Sequence, residues 1–87
     1  MARITMSNVR LYVGLYNTAI ANSVHDVVRE CVPPIAIRSQ CGVHNIEYVY
    51  TNECIACGLT TREAYETVHA MFNALEILER RLDNISR

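Results

Sequence analysis

A chain of 87 residues, 51% of them hydrophobic and 20% charged, excludes two readings at once. Chains this short bury only about 60–65% of the surface their unfolded form exposes, so there is no room for a second core, and apolar content at this level is not that of a disordered segment. Nine acidic against eight basic residues give a formal charge of −1, which argues against the broad basic surface that non-specific nucleic-acid binding needs.

All eight bases are arginine, a planar group suited to fixed bidentate pairs. Apolar stretches are interrupted by Arg10, Asn17, Asn22 and His25 before the roughly 18 residues a spanning helix requires. The first eight residues carry neither a continuous apolar run nor a small-residue cleavage site. A cytoplasmic protein with no membrane contact is the expectation.

In chain order, Val9, Tyr12, Val13, Tyr16, Ala19, Ile20, Val24, Val27, Val28 and Cys31 step by three and four, the spacing of one helix face, and predict a helix over about 7–31. Pro33 and Pro34 stop it, because the first ring pushes Val32 out of the helical region and neither supplies a backbone donor. Residues 35–38 and 46–51 are β-branched and aromatic and predict two strands joined through Ser39–Asn45, a hairpin over about 35–53. Thr60-Thr-Arg-Glu63 has the form of a capping box. It opens a helix over about 60–85 whose stripe Ala64, Val68, Met71, Leu75, Leu78, Leu82, Ile85 repeats in fours and threes, widened by Tyr65 and Phe72. Arg80, Arg81 and Arg87 stand where that helix dipole is negative. The expected fold is a single α+β domain spanning residues 1–87, two long helices packed with a small antiparallel hairpin in the order α-β-β-α.

The most chemical stretch is Cys41-Gly-Val-His44, nine residues, then Cys54-Ile-Ala-Cys57-Gly58. Two residues between ligands let both side chains reach one ion, so Cys41, His44, Cys54 and Cys57 predict one structural zinc. Cys31 is an alternative fourth ligand or a core residue. The competing readings are free thiols acting as small buried hydrophobes, turn residues at His44-Asn45, and a redox dithiol at Cys54 and Cys57. The last lacks a helix N-terminus directly after the pair. His25 and His69, alone on helices, read as structural, and no strong catalytic constellation is present, so no enzyme is expected.

Leu11 and Leu15 lie off the main stripe of the first helix, on the side shared with Arg10 and Thr18. They need a cover: the hairpin, a second copy of the chain, or a target protein. Leu11, Leu15 and Arg10 are accordingly the candidate partner-binding residues.

Cys54-Ile-Ala-Cys57-Gly58, a short spacer, then Glu63-Ala64 and Phe72-Asn73 resemble the C-terminal half of small phage-borne zinc-ribbon proteins of the restriction-alleviation type. The resemblance covers about a third of the chain. It implies a zinc-binding phage or mobile-element accessory protein, working in the host cytoplasm in evasion of host defence by binding a host protein. The expected function is therefore a non-enzymatic inhibitor or modulator that docks stoichiometrically on a host protein and is itself dimeric or otherwise homo-oligomeric. The alternative is a zinc-ribbon-type nucleic-acid-binding regulator using Arg38, Arg62, Arg80 and Arg81, which the acids Glu76, Glu79 and Asp83 beside the last two disfavour.

Overall fold

The computed structural model describes residues 3–85; Arg87, one of the predicted dipole cations, lies outside them. Its elements are α1 Met6–Ala21, α2 Asp26–Cys31, β1 Ile35–Gln40, β2 Val43–Tyr48, β3 Cys54–Leu59 and α3 Thr61–Ile85. The α+β class and the long C-terminal helix agree with expectation; the α-β-β-α order does not, the observed order being α-α-β-β-β-α. The hairpin is instead a three-stranded antiparallel sheet in the order β1-β2-β3, and the first helix is two.

The predicted helix over 7–31 breaks at Asn22–His25. Asn22 and Ser23 close tight turns, their N–H groups donating to Thr18 and Ile20 carbonyls. Ser23 turns inward, and its hydroxyl accepts the His25 backbone N–H at 3.1 Å. Short polar side chains that bond their own backbone compete with the helical ladder. Helical spacing continues across the break, but Val24 and Val27, placed by that spacing on the buried face, are 80% and 50% exposed. Only Val28 of α2 is buried. The helix does end at Cys31, before the two prolines.

The β1–β2 register runs from Ile35↔Tyr48 to Gln40↔Val43, so the loop is only Cys41-Gly42. Both turn residues have positive φ, 52° and 79°, the condition for the I′ turn whose twist matches the flanking strands. The predicted Ser39–Asn45 link thus contracts, and the second strand slides from 46–51 to 43–48. The segment after it, read as a metal knuckle, is β3. Its pairing skips from Glu47↔Cys54 to Ile46↔Ala56 to His44↔Leu59, one additional residue at each step. These are two β-bulges, and Gly58 takes φ 67° in the second.

The helices cover one face of the sheet, α1 over β1 and α3 over β2 and β3. Val9, Tyr16 and Ile20 of α1 meet Ile35, Ile46, Ala64, Val68 and Leu75 in the core. Burial, and secondarily the nearby Tyr48 phenol, push the Tyr16 phenol above its ordinary pKa. Tyr12 fills the seam between α1 and α3 with edge-on contacts to Tyr65 at 5.4 Å and Phe72 at 6.0 Å. The edge of β1 is closed by Asn17 of α1. Its amide donates to the Ile35 carbonyl at 2.8 Å, and its carbonyl accepts the Ile35 N–H at 2.9 Å, as a neighbouring strand would.

The stripe of α3 is buried at Ala64, Val68 and Leu75 and half-buried at Met71 and Leu82, but Leu78 and Ile85 are exposed. Beyond Leu75, Leu82 is the stripe residue that packs against the core. Arg80 sits over Glu76 at 3.6 Å and, like Arg81, precedes the last turn.

The capping box forms as expected: Thr60 N–H donates to Glu63 Oε1 at 3.0 Å, and Glu63 N–H donates to Thr60 Oγ1 at 3.1 Å. The hydrogen bond from the Thr60 backbone, then that from its hydroxyl, hold the Glu63 carboxyl below its ordinary pKa. A carboxyl whose folded pKa is depressed contributes stability that is present above its unfolded pKa and lost as pH falls through the folded one. Acidification should therefore loosen the first turn of α3. We expect the protection factors of the Glu63 and Ala64 amides, exchange rates corrected for the intrinsic pH dependence, to fall at acid pH in the native protein and to lose that fall in Glu63→Gln; protection that does not change with pH would contradict this.

Candidate functional site

The predicted partner-binding residues occupy the outer face of α1. Leu11 is 57% exposed and Leu15, one turn later, 42%, while Val9, Tyr12, Val13 and Tyr16 on the opposite side enter or flank the core. The sheet and α3 use that inner side, so among the described residues no element covers the leucine pair. Arg10, also exposed, precedes the pair on the same helix. Spaced i,i+4, the two leucines are neighbours on the helix surface and form one apolar patch.

The predicted zinc ligands do not come together. Cys41 is an exposed thiol in the I′ turn. His44 is buried on the helix-facing side of β2, next but one to Ile46. Both of its ring nitrogens are engaged by hydroxyls, Nδ1 with Ser39 Oγ at 2.7 Å and Nε2 with Thr61 Oγ1 at 3.1 Å. It links the β1–β2 hairpin to the start of α3 and presents no unshared nitrogen to a metal. Cys54 and Cys57 are disulfide-bonded to each other, their Cα atoms 6.3 Å apart. Three residues of regular strand would span about 10 Å and alternate faces; the bulges in β3 shorten that path. These four residues therefore do not fit a tetrahedral zinc site. Cys31, the alternative ligand or core residue, is exposed at the end of α2.

His69, expected to be structural, packs among aromatic rings. His69 is half-buried against Tyr12 at 5.1 Å and stacked on Tyr65 at 5.7 Å. Burial, then the neighbouring Tyr12 hydroxyl, raise the Tyr65 phenol above its ordinary pKa. The arginines of the nucleic-acid alternative are largely committed to acids: Arg38 to Glu47 at 3.5 Å, Arg62 to Glu66 at 3.0 Å and Arg80 to Glu76 at 3.6 Å. Paired cations are less available for phosphate contacts. No helix among the described residues is long and apolar enough to cross a membrane.

No family model, curated protein or solved structure matches this chain.

One constellation escaped the sequence reading. His25, Glu79 and Asp83 form the only group of three metal-ligating side chains among the described residues whose donor atoms all lie within 4.8 Å of one another. The four-residue spacing of Glu79 and Asp83 puts them on one helix face, a signal present in the sequence. The third member stands 58 residues from Asp83, and no local pattern announces it.

Proposed function

We propose that the protein is a small non-enzymatic interaction module that docks stoichiometrically on a partner protein and inhibits or modulates it, as a phage or mobile-element accessory protein does to a host protein. The observation that supports this is the exposed Leu11–Leu15 pair on α1, whose opposite face is consumed by the core. Apolar anchors presented by a rigid helix lose little conformational freedom on binding, which is what a stoichiometric binder requires. Elsewhere on the surface Arg38, Arg62 and Arg80 are each paired with an acid, a mixed charge pattern that suits a protein partner better than a polyanion.

Leu11→Asp tests this reading. Unfolding free energy should stay within about 0.5 kcal/mol of the parent, since the side chain is exposed in the monomer. Affinity for the partner, purified by crosslinking from host cells and titrated directly, should fall by about 1 kcal/mol or more. If the partner is a second copy of the chain, light scattering across concentration reports the same loss as a shift from dimer to monomer. An unfolded Leu11→Asp protein would place Leu11 in the core and overturn the assignment. A folded variant with undiminished binding would do so too.

A further inference from the structure

His25, Glu79 and Asp83 lie where the turn between α1 and α2 meets the C-terminal half of α3. His25 caps α2: its carbonyl accepts the N–H groups of Val28 and Arg29, and its own N–H is held by Ser23 Oγ. The ring is thus aimed at α3 by a backbone fixed on both sides, and its side chain is only 13% exposed. Nε2 lies 2.7 Å from Asp83 Oδ1 and 3.9 Å from Glu79 Oε2. The second Glu79 oxygen, Oε1, is buried without a hydrogen-bond partner.

This arrangement leaves a charge unmatched. Two carboxylates converge on one imidazole nitrogen, and a single proton there can serve only one of them. Asp83 has that position, while Glu79 is left at a distance with an orphaned oxygen, and a buried acceptor without a donor is costly. Among the described residues no arginine pairs with either acid; the nearest along the helix, Arg80, is held by Glu76. A cation with several coordination positions satisfies both carboxylates at once.

We propose that His25, Glu79 and Asp83 bind a divalent transition-metal ion of the zinc type. One imidazole with two carboxylates is a donor set such ions accept. Bonds of about 2.0–2.2 Å place donors roughly 3.3 Å apart in a tetrahedral site. Reaching that geometry requires Nε2 and Asp83 Oδ1 to separate and Glu79 to close in, rotations available to three side chains on separate or exposed stems. The proton on Nε2 leaves to solvent as the metal takes its place. Glu79 and Asp83 also line a groove of about 460 Å³ together with Asn22, Ser23, Val24 and Arg80, from which water could complete the coordination. The ion fastens the α1–α2 turn to the C-terminal half of α3.

The test is a titration of the chelator-treated full-length protein with cobalt(II), then competition by zinc. We expect one ion per chain, ligand-field absorption without thiolate-to-cobalt charge transfer, and movement of the His25 ring signals in NMR spectra. Asp83→Asn, on a side chain 53% exposed, should keep its circular dichroism and lose at least tenfold in affinity. A Cys54→Ser, Cys57→Ser protein should bind as the parent does. Absence of binding, a thiolate charge-transfer band accounting for it, unmoved His25 signals, or unchanged affinity in folded Asp83→Asn would each overturn the assignment.

Discussion

Asn17→Ala should lower the unfolding free energy by about 2–4 kcal/mol, because it strands two backbone groups at once. Ile35 is 1% exposed, and its N–H and C=O are both served by the Asn17 carboxamide, at 2.9 and 2.8 Å. Alanine removes both partners from a residue whose backbone groups the fold otherwise buries. For a domain of this size each kcal/mol moves the melting temperature by about 4–8 °C, so thermal and denaturant unfolding both read the effect. Asn17→Asp separates the two bonds: it keeps an acceptor for the Ile35 N–H and sets a carboxylate against the Ile35 carbonyl, so it should also destabilise. A change below about 0.5 kcal/mol in Asn17→Ala would show that water replaces the amide and that the edge of β1 is not sealed by α1.

Ile46→Ala should cost about 2–5 kcal/mol, the range for deleting a large aliphatic side chain from a filled core. Ile46 is fully buried on the central strand and belongs to the core shared by sheet and helices. Leu78→Ala provides the contrast. It belongs to the same heptad stripe as Val68 and Leu75, yet it is 39% exposed, and its loss should cost less than half as much. Chemical denaturation of the two variants side by side decides the matter. Equal losses would mean that the stripe of α3 is buried along its whole length, by a cover outside the monomer fold.

Local chemistry carried much of the fold. Pro33 and Pro34 end α2 where their geometry requires it, and Thr60 and Glu63 cap α3 through the bonds their spacing implies. Val9, Tyr16, Val68 and Leu75 point inward because 3.6-residue periodicity marks one face of each helix. The same periodicity left Leu11 and Leu15 outside, and they are exposed. It misled at Asn22–His25, where helical spacing persists through residues whose side chains divert the backbone. It was silent on β3, since a strand interrupted by two bulges has no period of two to detect.

What the sequence by itself determined was whatever depends on neighbours within about one turn: helix ends, caps, inward faces and the off-stripe leucines. The tertiary structure alone decided the pairings between distant segments. His44 has two hydroxyl partners, Thr61 among them, instead of a metal; Asn17 completes a strand edge at Ile35; and His25 meets Asp83 across 58 residues. Each residue type is compatible with several partners, and the choice among them follows from which surfaces the packed core brings into contact.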